Sequence, residues 1–365
     1  SRARTFADLA TASESNSLAN RNLIINGAMN VNQRGTQTTI QSGFTLDRWS
    51  ILSNTAARVT VSQDTNVPTG QGFLNSLKID VTTADTSLAA GDITALIYKF
   101  EGQDLQQLRK GTSSAKTLTL QFWVSSPKTG VHTLHFFDMA NSRIVATTYT
   151  ITSADTWQYV NVTFPADTTG ALANDNTNQL QFYFGLLAGS SYTSGTLATS
   201  WAANSNANRM VGQVNVLDST DNNFYITGVQ MEIGNVATPF EFEKHADTLA
   251  KCQRYFYKFI SNHDYGPLGA NGMQINTNST SGVMYQGQHP TTMRTGPSMA
   301  IGGNWTAEVA TGAGALFALT GSVRSSDLFW QSQEPIPSSG ASDGAAAIVY
   351  GSGDDDAFLS GDAEL

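Results

Sequence analysis

The chain has 365 residues and a formal net charge of −9, and only 13% of them are charged, against about 25% in an average soluble protein. The hydrophobic share of 40% is enough for a sizeable core, whereas the negative balance argues against a nucleic-acid partner. The single cysteine excludes an intrachain disulfide, and no apolar run reaches the roughly 18 residues needed for membrane insertion.

The chain opens with a weakly apolar segment and then changes to a two-residue period. Residues 1–20 are rich in Ala and Ser, which predicts a short helix or an extended arm. In segment 117–124 the even-numbered residues are apolar and share one face, while Gln121 and Trp123 lie on the other. This alternation is typical of half-buried strands. Strands are predicted over 22–33, 44–52, 56–63, 74–83, 93–101, 117–124, 131–138, 143–151, 159–164, 179–186 and 222–234.

The strand pattern predicts an all-β fold class. Many short strands, separated by Gly- and Asp-containing loops with almost no helical pattern between them, are typical of a jelly-roll β-sandwich. Within 224–233 the apolar phase slips by one residue at Gly228. That slip predicts a β-bulge.

A helical pattern follows the last of these strands. Leu249, Cys252 and Phe256 are three and four residues apart, which predicts a helix of two or three turns. Further β-patterned segments continue to the end of the chain and predict a second, smaller β domain. The predicted domains are an N-terminal arm over 1–20, a jelly roll over 21–243, a linking helix over 244–256 and a C-terminal β domain over 257–365.

Three sequence pieces in this order resemble bacteriophage tail-fibre and receptor-binding proteins. They are "SLANRNLIINGAMNVNQRG" with "LDRWS" after it, "ITGVQMEIGNVATPFEFE" from Ile226 to Glu243, and "LAKCQRYFYKF". The resemblance covers roughly residues 17–260 and the "DAEL" ending. It implies a carbohydrate-binding-like jelly roll, a homotrimer, and a place in the virion tail outside the cell. It also implies that the N-terminal arm contacts other tail proteins and that the partner at the host surface is a glycan.

The segment "NLIINGAMNVNQRG" has two readings. Asn26-Gly27 favours a turn or a kink, and the neighbouring amides can satisfy backbone groups without charge. The segment is therefore interpreted as a framework strand of the sandwich, with direct ligand contact as the alternative.

Candidate glycan-binding residues are aromatic side chains in polar, Gly- and Ser-rich surroundings. The long polar stretch 189–210 carries Tyr192 and Trp201. An aromatic ring can stack on the apolar face of a sugar while amides bind its hydroxyls. The alternative is that Trp201 packs back onto the sandwich. The C-terminal domain adds Tyr265, Tyr285, Trp305 and Trp330 as further candidates.

The sequence indicates no catalytic residues and no cofactor. His132 and His135 are three residues apart, so on a strand they face opposite sides and cannot share a metal ion. The "GASDG" segment matches a nucleophile elbow, but no histidine follows it and its surroundings indicate a loop. Asp354–Asp356 lack the spacing of a calcium loop, although the resemblance leaves room for a structural calcium ion elsewhere.

Three functions follow from these observations. The first is adhesion of a virion to the host surface by non-catalytic glycan binding, with the C-terminal domain facing the host. The second is a purely structural virion protein, such as an adaptor or a decoration. The third is a glycan depolymerase, which would need a cleft with paired carboxylates.

Overall fold

A computed structural model of the chain describes residues 20–260, 276–278, 282–303, 305–309, 314–317, 323–334, 347–351 and 357–365. The chain divides into two compact units, and the division falls between Thr248 and Leu249. Each unit is described by itself. The predicted arm over 1–20, apart from its last residue, lies outside the described residues.

The first unit is a sandwich of two antiparallel sheets. Its strands are β1 Gln37–Ile40, β2 Gly43–Phe44, β3 Trp49–Ser53, β4 Arg58–Asp64, β5 Ser76–Thr83, β6 Ile93–Glu101, β7 Leu118–Ser125, β8 Gly130–Asp138, β9 Arg143–Ile151, β10 Gln158–Phe164, β11 Asn178–Ala188, β12 Ala202–Ala203 and β13 Asn223–Ile233. The six-stranded sheet has the order β1-β4-β5-β13-β7-β10, and the seven-stranded sheet has the order β12-β9-β8-β11-β6-β3-β2. This architecture confirms the predicted all-β jelly-roll sandwich.

Helices are few and short in the described part of the chain. Two 3-10 turns and two α-helices are present: Gly102–Leu108, Asn206–Asn208, α1 Ser190–Thr193 and α2 His245–Gln253. Helix α2 lies inside the predicted range 244–256. Among the described residues, no helix combines the length and the apolarity needed to cross a membrane.

The core of the first unit lies between the two sheets and is rich in aromatic rings. Phe122 of β7 and Phe184 of β11 meet edge to face, with ring centroids 5.1 Å apart. Trp49 of β3 packs on Tyr98 of β6 at 5.1 Å, and both are almost completely buried. Each such side chain stabilises the fold by about 1.5–3 kcal/mol through burial. The rigid sandwich is therefore a firm support for the groups on its outer faces.

The predicted bulge at Gly228 is confirmed. The pairing of β13 with β7 shifts register between Thr227 and Gln230. Gly228 has a φ of +63°, and a Cβ there would lie 2.5 Å from the Phe73 ring. Glycine satisfies both the backbone conformation and the close packing.

The predicted strand over 22–33 is wrong. This segment is irregular, because Asn26 and Met29 adopt positive φ angles of 60° and 58° that break an extended chain. Side chains take the place of ladder hydrogen bonds there. Asn26 donates to Val31 O at 2.9 Å and accepts from Val31 N at 3.0 Å, while Asn22 Oδ1 accepts from Met231 N at 3.0 Å. The amide-rich composition of the segment therefore has a framework role.

The second unit is also built from strands. Its described strands are β14 Phe256–Ile260, β15 Asn276–Asn278, β16 Gly282–Gln288, β17 Ser298–Gly302, β18 Trp305–Val309, β19 Gly314–Phe317, β20 Val323–Ser325, β21 Phe329–Glu334, β22 Ala347–Gly351 and β23 Phe358–Asp362. They pair in the orders β14-β23-β17, β15-β16-β21-β20 and β19-β18-β22. Tyr257, Met293 and Ala363 form a small buried cluster.

Candidate functional site

The outer face of the six-stranded sheet carries four aromatic side chains. Residues that alternate with the core positions of β7 and β10 lie outward, which places Trp123 and Tyr159 on this face. The strand register puts these two residues directly opposite each other. Tyr225 of β13 and Trp157, one residue before β10, also lie here, with their ring centroids 6.2 Å apart. We call these four side chains the aromatic platform.

The rings of the platform form two contacting pairs. Trp123 and Tyr159 have centroids 5.5 Å apart and an interplanar angle of 55°. Trp157 and Tyr225 meet at 58°. Tyr159 is 47% exposed, and the other three rings are half-buried. The Lys78 ammonium lies 5.9 Å from the centroid of Tyr225 at the end of the platform. Together these groups give an open apolar surface with polar edges.

Hydrogen bonds hold the platform in place. The Tyr159 hydroxyl donates to Oε1 of Gln121, and Nε2 of Gln121 donates to Thr238 O at 2.8 Å. Trp157 Nε1 donates to Asn66 Oδ1 at 3.1 Å. Rings fixed in this way lose little conformational entropy when a ligand binds. Tyr159 and Trp157, one ring of each contacting pair, are therefore preorganised.

The charged groups around the platform are already engaged. Asp80 pairs with Lys78 at 3.1 Å, and the Glu232 carboxylate accepts from Thr238 N at 2.7 Å. Burial, reinforced by the charge of Glu232, raises the pKa of Tyr159, so its hydroxyl stays protonated. The surface can bind an uncharged polar ligand.

Hydrogen bonds beside this network join the segment before the first strand of the sandwich to the segment after its last strand. The Glu241 carboxylate accepts from the main-chain N–H groups of Asn20, Arg21 and Asn22 at 2.7, 2.8 and 3.1 Å. The Arg21 guanidinium also donates to the side-chain oxygen of Thr238. The segment that borders the platform is thus anchored to the start of the unit.

The two candidates in the stretch 189–210 pack against the sandwich. Tyr192 contacts the buried Met210 in a small cluster on the seven-stranded sheet. Trp201 packs against the main core, and its Nε1 donates to Pro165 O at 2.9 Å. Trp201 therefore makes the core contact that was the alternative in the sequence, and part of its ring stays exposed. Both rings are half-buried.

Two of the four candidates of the C-terminal domain lie on neighbouring strands of one sheet, where Trp330 of β21 pairs with Gly287 of β16, two residues from Tyr285. Trp330 of β21 is buried, with 4% of its surface exposed, so its ring is not accessible for stacking. Tyr285 lies in β16 and Trp305 in β18. Tyr265 lies outside the described residues.

The structure separates the two histidines of β8. His132 stacks on Tyr149 in the core, and burial lowers the pKa of His132 to about 4. His135 stacks on Tyr183 on the other face, with ring centroids 4.3 Å apart. No group of three or more His, Cys, Asp or Glu among the described residues could hold a metal ion. The segment 354–356 is not among them.

Oxygen atoms do converge at one point in the first unit, around an ammonium group. Lys110 Nζ contacts carboxylate oxygens of Asp138 and of Asp167, the latter at 3.0 Å. It also donates to the carbonyl oxygens of Thr169 and Gly170 at 3.1 and 2.8 Å. The lysine supplies the positive charge that these oxygens need, so the cluster does not fit a calcium ion.

Sequence reasoning missed the platform, although it contained a signal for it. Trp123 and Tyr159 both occupy outward positions of strands predicted from alternation. A single outward aromatic residue is ordinary, whereas several on one face form an exposed apolar patch that marks an interaction site. Two of them on separate strands were a reason to expect a surface patch, but the pairing of the strands was not readable from the sequence.

No family model and no curated protein matches the chain. Among solved structures, the enzymatically active domain of tailspike protein 4 from bacteriophage CBA120 has a TM-score of 0.31 and 12% identity, and covers 58% of this chain and 21% of its own. A family 11 carbohydrate-binding module from Clostridium thermocellum, in complex with a β-1,3-1,4-mixed-linked tetrasaccharide, has a TM-score of 0.27 and 12% identity. The match covers 56% of this chain and 99% of the module. The CBM22-2 xylan-binding domain from Paenibacillus barcinonensis Xyn10C has a TM-score of 0.28 and 14% identity, and the match covers 51% of this chain and 91% of that domain. At these TM-scores the similarities carry no inference about ligands.

Proposed function

We propose that the first unit is a non-catalytic glycan-binding domain and that the aromatic platform is its binding surface. The observation that carries this proposal is the set of two contacting ring pairs on one sheet face, in which Tyr159 donates a hydrogen bond to Gln121 and Trp157 donates one to Asn66. Structural side chains of this size are normally buried, whereas Tyr159 is 47% exposed.

The chemistry of the platform suits a neutral sugar chain. Apolar C–H faces of sugar rings stack on aromatic rings, while hydroxyl groups bind to nearby amides and hydroxyls. The carboxylates on this face are occupied by Lys78 and Thr238. The net charge of −9 also disfavours strongly anionic ligands. With no free carboxylate pair on this surface, we assign it binding and no hydrolysis.

Aromatic substitutions on the platform test the proposal. We expect Trp123→Ala and Tyr159→Ala to lower the affinity for neutral oligosaccharides identified on a glycan array by about fivefold or more each. Removal of a stacking ring costs about 1–3 kcal/mol, by analogy with bases stacked on aromatic residues. Trp123→Phe retains a ring and should recover part of the affinity.

A control on the other sheet separates stacking from general destabilisation. Leu52 of β3 is 39% exposed on the seven-stranded sheet, so Leu52→Ala should leave affinity unchanged. Wild-type affinity in the folded double variant of Trp123 and Tyr159 would refute the platform as the binding surface.

The setting we propose for this domain is a fibre or spike of a bacteriophage tail that attaches the virion to the host surface. Support comes from the three sequence pieces described above, which resemble tail-fibre and receptor-binding proteins. The resemblance also supports a homotrimer with its N-terminal arm on other tail proteins. Several weak sites on one particle would then act together. Light scattering should give three times the chain mass of 39.0 kDa, and a monomer would contradict the trimer without affecting the glycan site.

A further inference from the structure

A second surface of the first unit combines a cavity with an unusual arginine. The cavity has a volume of about 500 Å³ and is lined by residues from 105–114 together with Ala171 and Leu172. Ala171 is the exposed apolar residue of the lining, and Leu105 and Leu172 lie beneath it in the core, with 1% and 9% of their surfaces exposed. Arg109 lies on its exposed rim.

The backbone of Arg109 adopts a conformation that favours glycine. Arg109 follows the 3-10 turn Gly102–Leu108 with φ 49° and ψ 29°, in the left-handed region. Residues other than glycine, asparagine and aspartate are uncommon there, and glycine is the usual residue at this position after a helix. Among the described residues, the structure shows no hydrogen-bond or ion-pair partner for the Arg109 guanidinium. The fold therefore does not explain why an arginine occupies this position.

Two polar side chains, Gln106 and Ser114, line the cavity beside Arg109. Gln106 Nε2 donates to the main-chain oxygens of Gly102 and Ala173 at 2.8 and 3.1 Å, which leaves Oε1 of the same amide as an acceptor. The Ser114 hydroxyl lines the cavity as well. The charge of Lys110 is neutralised by two carboxylates, so Arg109 contributes the uncompensated positive charge of this surface.

We propose that this cavity binds a carboxylate-bearing sugar unit, independently of the aromatic platform. The guanidinium of Arg109 would pair with the carboxylate through two parallel hydrogen bonds. The Gln106 Oε1 atom would accept from a sugar hydroxyl, and the apolar face of the sugar ring would lie against Ala171. A neutral sugar would lose the ion pair and would bind weakly.

Titration of the full chain with sodium glucuronate, and with glucose at matched ionic strength, tests the site. We expect glucuronate to bind with a dissociation constant on the order of millimolar, and glucose at least tenfold more weakly. Arg109→Gly should weaken glucuronate binding at least tenfold without lowering Tm, because glycine adopts this backbone conformation at no steric cost. Lys116→Ala removes the same charge from an exposed residue that does not line the cavity, and it should bind normally.

Three results would overturn the assignment. The first is equal affinity for glucose and glucuronate, and the second is unchanged glucuronate binding by the Arg109→Gly variant. The third is no glucuronate binding by the wild-type chain at glucuronate concentrations of about tens of millimolar. The double variant Trp123→Ala and Tyr159→Ala should keep the glucuronate site. Loss of one site therefore leaves the other proposal standing.

Discussion

Removal of the Lys110 ammonium should strongly destabilise the first unit. The Lys110 side chain is 5% exposed and Asp138 is 0% exposed. In a Lys110→Met variant, which preserves most of the side-chain volume, Asp138 would keep only the neutral donors of Asn141, at 2.9 and 3.0 Å. Removing one partner of a buried ion pair lowers the free energy of unfolding by about 3–5 kcal/mol.

The lower end of that range applies here, because the other carboxylate keeps a cation. Asp167 retains two hydrogen bonds from Arg143 at 2.8 and 2.9 Å. We therefore expect a loss of about 3 kcal/mol in the free energy of unfolding. Urea unfolding followed by tryptophan fluorescence measures it, since the Trp201 ring lies 4.9 Å from Lys110 Nζ.

Two further variants identify the cause of the loss. The double variant Lys110→Met with Asp138→Asn removes the orphaned charge and should regain about 1 kcal/mol or more over the single variant. Lys128→Met breaks the ion pair with Asp218, whose side chains are 30% and 32% exposed, and should cost less than about 1 kcal/mol. A Lys110→Met loss no larger than that of Lys128→Met would refute the reasoning.

Two other predictions concern His132 and Glu241. Burial lowers the pKa of His132 from its ordinary 6.5 to about 4 in the folded protein. As the pH is lowered from 6.5 to 4, the unfolded state therefore gains a proton that the folded state does not. The free energy of unfolding should decrease by about 3 kcal/mol over this range. Urea unfolding of the wild type and of His132→Gln at both ends of the window should show a smaller loss in the variant; equal losses would contradict it. Glu241→Ala removes the acceptor of three N–H groups and should cost about 2 kcal/mol, with faster hydrogen exchange at residues 20–22. Glu241→Gln keeps only one of the two acceptor oxygens that these N–H groups use, so its loss should be smaller than that of Glu241→Ala but measurable. Unchanged hydrogen exchange in Glu241→Ala would contradict the role of Glu241 in holding residues 20–22.

Strand positions were readable from the sequence wherever one face of a strand is buried. The ranges 131–138 and 143–151 correspond to the observed strands Gly130–Asp138 and Arg143–Ile151. Alternation is a local property that burial imposes directly on the residues. The phase slip at Gly228 was readable for the same reason, since a bulge moves the buried set by one position.

The segment 22–33 shows where local patterning fails. It is rich in aliphatic residues, as a buried strand would be, but Asn26 and Met29 have positive φ angles. These two residues have partners far along the chain, since Asn26 Nδ2 donates to Asp47 O at 3.1 Å and Gln63 Nε2 donates to Met29 O at 2.6 Å. Likewise, the sequence left open whether Trp201 faces solvent or packs on the sandwich, and the tertiary structure brings its half-buried ring against the core.

The all-β class, most strand positions and the low-charge surface were determined by the sequence alone, because burial and backbone preference act residue by residue. The aromatic platform was decided only by the tertiary structure. Its rings come from positions 123, 157, 159 and 225, and strand order together with register brings them within 5.5 and 6.2 Å of their partners. Strand order is set by packing of the whole sandwich, so no window of the sequence contains it.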